Sequence, residues 1–315
     1  MIRWGKTKRG KVRWRCSVCA KTGIKTRSDR SQKNTERLFE KWLLTTETLS
    51  RLEQKNGHGS NTLTRRFSSF WLLPVISNYF GKGRIIIVDG IRIGPDESIL
   101  IAIDGDGLPI AWIRCIRETS FSWSQLFAEV KKQGVTQPVC IVSDAQKGLL
   151  LALKWSFGLI PHQRCMTHVV RLAHAWLTRH PQTTAGIELR LLVSSLYDIK
   201  TKDEAILFKE KFSQWLTEHA DFLKEKSLSP DMKRWWYTHK KLRWVKTLIA
   251  RSLPDLFTFL DLPKVPRTTN GLEGGINSPI KALIRHHRGM STSHKRTLAF
   301  RFLRARQKRN TNTKC

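Results

Sequence analysis

The sequence predicts an α/β protein: a small sheet interrupted by a helical insertion and preceded by a basic, partly helical front end. Three observations carry that reading. Ile85-Ile86-Ile87-Val88 and Val139-Cys140-Ile141-Val142-Ser143 are short runs rich in β-branched residues, the pattern of buried strands. Each run is followed by an acid, Asp89 or Asp144, placing a carboxylate at a strand's C-terminal end, where the sites of open α/β sheets collect. Phe208, Phe212, Trp215, Leu216, Phe222 and Leu223 keep helical spacing within a long stretch that reads as helix throughout.

The elements follow in order. Residues 1–30 are a basic arm with one acid, Asp29, and hold Cys16-Ser17-Val18-Cys19. That pair has the form of one knuckle of a zinc ribbon, with Cys16 and Cys19 as candidate Zn²⁺ ligands. Residues 1–15 supply neither Cys nor His, so half of the ligand set is missing and the ribbon is partial. Residues 31–80 read as helical, with Leu38, Phe39, Trp42 and Leu43 on one apolar face and a turn at Gly57-His58-Gly59-Ser60. Two helices joined by such a turn are compatible with helix-turn-helix, and the second would offer Asn61, Thr62, Arg65 and Arg66 to a groove.

Residues 81–183 form the first part of the core. Strands are expected at 85–89, 98–104 and 110–117, with Asp104-Gly105-Asp106-Gly107 as a hairpin turn. A helix over Trp123–Lys132, the Val139–Ser143 strand and a helix from Ala145 to about Phe157 come next. Pro161 breaks the chain before a helix near 163–179. Three hairpin-joined strands followed by α-β-α is the order of a ribonuclease H-like core. Residues 184–263 read as an all-α insertion, 264–309 as the last part of the core, and 310–315 as a polar tail.

The 315 residues carry 57 Lys and Arg against 25 Asp and Glu, a formal charge of +32 and a pI near 10.5. A hydrophobic fraction of 40 % with 12 Trp and 14 Phe suffices for a core, so global disorder is excluded. The charge points to nucleic acid. An anionic membrane fits less well, because no apolar run approaches spanning length and no lipidation motif or signal-peptide h-region is present. The six cysteines, at 16, 19, 115, 140, 165 and 315, are scattered and suit a reducing compartment.

Asp89, Asp144 and Glu273 are the residues placed for chemistry. Phosphodiester cleavage at neutral pH needs an activated nucleophile and a stabilised leaving oxygen, which two divalent ions clamped by carboxylates provide. Each acid also has a structural reading. Asp144 could cap the helix expected at Ala145, and Glu273 could complete a capping box with Asn270. Against mere capping, Gly274-Gly275 leave room beside Glu273, and Asn277, Lys281 and Arg285 continue its flank at i, i+4 spacing. Ser278-Pro279 implies either a kink there or a turn holding Glu273. Asp104 and Asp106 are turn formers, and Asp96 and Glu97 fit a turn after Pro95. Cys165 and His168 share a helix face; with only His162 nearby they read as a packed pair rather than a zinc site. Trp235-Trp236 could stack on an unpaired base, or serve as core or interface residues.

Asp89 in IIIVDG, Asp144 in IVSDAQKGL, RCMTH at 164–168 and TTNGLEGGINSPIKALIRHHRG at 268–289 resemble bacterial insertion-sequence transposases of the Mutator-like (MULE) superfamily, in its zinc-binding variant branch. The likeness extends over roughly 1–309. It implies a ribonuclease H-like DDE core in which Asp89, Asp144 and Glu273 bind Mg²⁺ or Mn²⁺, with Cys165 and His168 as the family's structural signature. It further implies cutting at element ends and joining of the freed 3′-hydroxyls to target DNA. The partners would be double-stranded terminal inverted repeats and target DNA, bound by Arg65, Arg66, Asn277, Lys281, Arg285 and Arg288. The protein would act as a homo-oligomer in a synaptic complex, in the bacterial cytoplasm at the nucleoid. Relatives of that branch carry two CxxC knuckles, so the resemblance implies a chain truncated at its N-terminus. The alternatives are a catalytically inactive, decayed copy acting as a DNA-binding repressor, and a structure-selective nuclease of the same fold.

Overall fold

The basic front end forms an antiparallel sheet before any helix begins. In the computed structural model, which describes residues 1–8, 10–24, 27–81 and 83–311 (backbone only for 27–31 and 309–311), β1 (Ile2–Lys6), β2 (Val12–Arg15) and β3 (Thr22–Ile24) pair in that order. The β2–β3 turn holds Cys16 and Cys19 and is closed by Ala20 N–H donating to the Cys16 carbonyl at 3.1 Å. Among the described residues no third Cys, His, Asp or Glu donor gathers with them.

Helices α1 (Arg27–Leu43), α2 (Leu49–Asn56) and α3 (Ser60–Phe67) follow, one more than the pattern suggested. The extra break falls at Thr45, whose hydroxyl donates to the Lys41 carbonyl at 2.8 Å and competes with the helix ladder. Thr48 then caps α2 by accepting the Arg51 N–H, and Gly57 ends it at φ 65°, a left-handed position that suits glycine. Phe39 packs on Phe67, Phe70 and Trp71 at centroid distances of 5.3, 5.7 and 4.9 Å.

The main sheet is mixed, in the order β6-β5-β4-β7-β8. Strands β4 (Ile85–Gly94), β5 (Glu97–Asp104) and β6 (Pro109–Cys115) are antiparallel neighbours. Helix α4 (Ser120–Lys132) returns the chain to β7 (Cys140–Ser143), parallel to β4. Helix α5 (Lys147–Phe157) then leads to β8 (His162–Arg164), parallel to β7, and α6 (Met166–Leu177) follows. Trp123, Leu126 and Phe127 of α4 and Leu149 and Ala152 of α5 bury against Ile86, Leu100 and Ile141. Fully burying each large apolar side chain stabilises the fold by roughly 1.5–3 kcal/mol.

Three expectations change here. Asp89 does not end its strand, because β4 runs on to Gly94 as the first arm of a hairpin with β5. Asp144 does not cap a helix at Ala145: that residue is left-handed (φ 60°), and α5 starts at Lys147. Strand β8 was not foreseen, since His-Gln-Arg carries no β signal and is extended by its pairing with β7.

The insertion comprises α7 (Thr184–Ser195), α8 (Lys202–Glu218), β9 (Lys226–Leu228), β10 (Trp235–Tyr237) and α9 (Lys240–Leu256). It is therefore not all-α, because β9 and β10 make an antiparallel hairpin with Trp235 opposite Leu228. Thr201 and Glu204 form a capping box for α8. Phe208, Phe212 and Trp215 bury with Leu189, Val245 and Ile249, and Val169, Val170 and Ala173 of α6 join the same core.

After the insertion, α10 (Asn270–Leu272) passes into a π-helical stretch, Glu273–Asn277, and then α11 (Ser278–His286) and α12 (Thr292–Thr311). The chain thus stays helical through Ser278-Pro279, neither stopping nor starting there. Residues 312–315, most of the expected tail, lie outside the described residues. The chain divides into two compact units. One contains Met1–Val75 with Ala282–Arg301, the other Ile76–Lys281 with the residues from Phe302 on, so the segment 264–309 is shared between them. In the first unit Arg301 is buried and donates to Glu40 Oε1 at 3.0 Å and the Phe70 carbonyl at 2.9 Å.

Candidate active site

The parallel register of β4 and β7 pairs Ile87 with Val142, and Asp89 and Asp144 each stand two positions further on. Equal offsets put both side chains on one face. Asp89 Oδ1 accepts the Gly90 N–H at 2.9 Å, and Oδ2 accepts Asn277 Nδ2 at 2.9 Å. Asp144 Oδ1 accepts the Gln146 N–H at 3.1 Å. Glu273 opens the π-helical stretch; its Oε1 accepts the Thr269 hydroxyl at 2.9 Å and its Oε2 accepts Arg171 Nη1 at 2.7 Å. No capping box with Asn270 forms.

Burial pushes the Asp89 carboxyl up to about 7; the charges of Asp144 and Glu273 add to the rise, while His168 and the Gly90 N–H oppose it. Burial would also raise Glu273, but Arg171, Thr269 and His168 outweigh it and hold that carboxyl below its ordinary value. The Cys165 sulfur beside it, against the effect of burial, lifts His168 to about 9, and Asp89 and Glu273 favour its charged form.

A further acid had no sequence signal. Glu118, in the loop before α4, is raised by burial and by the charge of Asp144. Its carboxylate rests against Gly90, where a Cβ would lie 2.2 Å from Glu118 Oε1. Glycine next to Asp89 is what makes room for it.

Among the described residues, the metal-sized cluster that includes Glu273 contains Cys165 and His168, all three donor atoms lying within 4.8 Å of one another. That trio is occupied by protein contacts. Cys165 Sγ accepts the Thr269 N–H at 3.2 Å, Arg171 engages Glu273, and His168 is held protonated. Cys165 and His168 thus brace α6 against the segment carrying Glu273. The charges of Asp144 and Glu273 reach Asp89, and the three acids offer the hard oxygen donors that Mg²⁺ or Mn²⁺ takes, but among the described residues their oxygens do not gather as one metal-sized group. Asn277 Oδ1, buried, has no hydrogen-bond partner beside it. A buried carboxyl raised by two neighbouring acids, next to an unpartnered amide oxygen, is chemistry that a divalent cation would fit.

Beside Asp144 opens a cleft of about 760 Å³, lined by Lys147, Arg164, Arg251, Trp176 and Trp244. The two Trp rings lie 5.6 Å apart at 58°. Neither Trp was singled out in the sequence, because each lies on a helix stripe that reads as core. Trp235 and Trp236 are not core residues: they are 53 % and 44 % exposed on the β9–β10 hairpin, with Lys226 Nζ 4.1 Å from the Trp235 ring centre. Arg65, Arg66, Lys281, Arg285 and Arg288 are exposed. Asn277 is not a groove contact, since it is buried and its amide is spent on Asp89. The π-helical widening shifts its phase relative to Glu273.

The family match falls within the unit Ile76–Lys281. The model described as "Transposase, Mutator family" matches residues 98–228, which contain Asp144, Cys165 and His168 but neither Asp89 nor Glu273. The transposase for insertion sequence element IS256 in transposon Tn4001 of Staphylococcus aureus is 34 % identical over 74 residues, 24 % of this chain and 19 % of that protein. The transposase for insertion sequence element IS406 of Burkholderia multivorans is 26 % identical over 161 residues, 50 % of this chain and 35 % of that protein. The transposase for insertion sequence element IS6120 of Mycolicibacterium smegmatis is 25 % identical over 130 residues, covering 41 % and 35 %. The matched stretches thus span 19 % to 35 % of these relatives' lengths. Residues 98–228 are thus similar to the Mutator family of transposases, and the relatives matched are transposases of insertion sequence elements.

Proposed function

We propose that this chain cuts DNA at the ends of an insertion element and joins the freed 3′-hydroxyls to target DNA, with Asp89, Asp144 and Glu273 holding two divalent cations. The observation that carries the reading is the crowding around Asp89, whose carboxyl is raised to about 7 beside two further acids in a protein of charge +32. A basic protein that concentrates carboxylates at one place is arranged for cations facing a polyanion. Mg²⁺ or Mn²⁺ bound there would supply an activated hydroxyl nucleophile and charge stabilisation of the leaving oxygen. Asp89, Asp144 and Glu273 would hold the ions, with Glu118 as a further acid near Asp144. Glu273 would first exchange its Arg171 partner for a ligand position.

The strand order β6-β5-β4-β7-β8, three antiparallel strands followed by two parallel ones, supports a ribonuclease H-like core for this chemistry. Lys147, Arg164 and Arg251 would meet the DNA backbone in the cleft beside Asp144, and Trp176 and Trp244 would offer stacking faces to an unpaired strand. Arg65 and Arg66 on α3, with Lys281, Arg285 and Arg288, would add phosphate contacts and a steep salt dependence. Among the described residues no helix is long and apolar enough to cross a membrane.

The test is strand cleavage and joining on oligonucleotides bearing the element ends, with Mg²⁺ or Mn²⁺. Asp144→Asn and Glu273→Gln should abolish cutting and leave DNA affinity within about threefold, because neither residue contacts phosphate in this reading. Cutting retained by either variant overturns the assignment. Specific binding by the wild-type chain with no cutting under any divalent ion would favour the repressor reading.

A further inference from the structure

A second group of chemistry-bearing residues lies behind Asp144. Ser143 Oγ is 2.8 Å from His162 Nε2, and His162 Nδ1 is 2.8 Å from Asp255 Oδ2. Asp255 also accepts Arg164 through Nε at 2.8 Å and Nη2 at 3.2 Å. Serine, histidine and aspartate in this order resemble a hydrolytic triad, but the burial rules out a nucleophile. Ser143 is 0 % exposed, and its oxygen already accepts the Ala145 N–H at 3.0 Å. No substrate carbonyl could approach it.

Asp255, held ionised by His162 and Arg164 against the effect of burial, can only accept, so Nδ1 carries the imidazole proton. On the other side of the ring Nε2 shares a hydrogen bond with the Ser143 hydroxyl at 2.8 Å. The Ser143 oxygen is left with lone pairs, one of which holds the Ala145 N–H. Ala145 is strained, at φ 60°, immediately after Asp144, and such a conformation persists only when its surroundings hold it. The chain of bonds therefore starts in α9 of the insertion and ends on the peptide that sets the direction of the Asp144 side chain.

We propose that Asp255, His162 and Ser143 are positioning residues, a hydrogen-bonded link by which the insertion helix α9 fixes Asp144 for cation binding. The proposal rests on the reading of Asp144 as a cation ligand. The same helix contributes Trp244 and Arg251 to the cleft, and Arg164, which binds Asp255, lines that cleft as well. Contacts made in the cleft would thereby be felt at Asp144.

The test is a double-mutant cycle on the full chain, read by Mn²⁺ calorimetry and by hydrogen exchange at the Ala145 amide. Ser143→Ala and Asp255→Asn should each weaken Mn²⁺ binding about tenfold and speed exchange at Ala145, with far-UV circular dichroism unchanged. The double variant should be no weaker than the weaker single one, since either change breaks the same link. Losses that multiply, or a folded Ser143→Ala chain that binds Mn²⁺ like the wild type, overturn the proposal. Asp255→Asn strands Arg164 and could unfold the chain; Ser143→Ala, which removes one buried hydroxyl, then decides alone. Asp89→Asn separates the two readings. If it weakens Mn²⁺ binding while Ser143→Ala does not, the link fails and the metal site stands. If neither does, both fall.

Discussion

Asp104 and Asp89 lie on neighbouring strands of one sheet, the first at one end of the β4–β5 ladder and the second near its middle, since Ile86 faces Asp104 and Asp89 faces Ile101. Asp104 is saturated. Its Oδ1 accepts the Asp106 and Leu108 N–H groups at 3.0 and 2.8 Å, and its Oδ2 accepts the Tyr79 hydroxyl at 2.8 Å. Asp89 accepts one backbone N–H and one side-chain amide while facing the charges of two other acids. A carboxylate with donors on every side is holding a turn together. One buried beside its own kind, with fewer donors, keeps its proton up to about 7.

Exchanging the two roles gives the largest expected effects, in opposite directions. Asp89→Asn should remove detectable cleavage and yet raise the apo protein's Tm at pH 8 by about 2–6 °C. The sign follows from linkage. The native Asp89 carboxyl holds its proton more tightly than the unfolded chain does, so stability falls as pH climbs from the ordinary carboxylate range to about 7 and stays lower above it. An uncharged amide removes that loss. Asp104→Ala should instead leave two N–H groups and the Tyr79 hydroxyl unpaired and cost about 2–4 kcal/mol of stability, while cleavage per folded molecule is kept. Thermal unfolding with and without Mn²⁺, together with the oligonucleotide assay, measures both; a destabilised Asp89→Asn chain would end the comparison.

The same contrast predicts a pH dependence of cation binding. A ligand must shed its proton, and Asp89 still holds one below about 7. Mn²⁺ affinity should therefore drop about tenfold between pH 8 and pH 6, one proton being displaced per binding event. Calorimetry in buffers of different ionisation enthalpy counts that proton. Asp104→Ala should leave the profile in place, and an unchanged affinity across this range would mean that Asp89 is not a ligand.

How far the sequence carries this comparison depends on where each signal resides. Asp89 and Asp144 were legible because apolar β-branched runs mark the strands before them, and the DGDG setting marked Asp104 as a turn former. Glu118 was not, because an acid in the Arg117-Glu118-Thr119 approach to a helix looks like any loop residue; only the fold brings it against Gly90. Asp255 beside Pro254 reads as an ordinary helical surface residue, and its partners His162 and Arg164 lie on a strand that pairing, not propensity, creates. Asn277 was misplaced for a geometric reason. Counting by fours assumes an α-helix, and a π-helical turn between Glu273 and Asn277 shifts the phase, so the amide meets Asp89 instead of solvent. Cooperative features of this kind, set by neighbours distant in sequence, leave no local pattern to read.

The smallest effect concerns the ion pair that competes for Glu273. Arg171 donates to Glu273 Oε2 at 2.7 Å with its side chain 61 % exposed, so solvent screens the interaction and it contributes little to stability. Its effect on cation binding has the opposite sign from that of a ligand. Arg171→Gln removes a charge that a divalent ion would have to displace, and should tighten Mn²⁺ binding about two- to fivefold with little change in Tm. High salt should shrink the difference, because an exposed pair is screened where a buried contact is not. Weaker binding in Arg171→Gln would show instead that the guanidinium orients Glu273 toward the ion, which would move Arg171 from the competitors of the site to its supports.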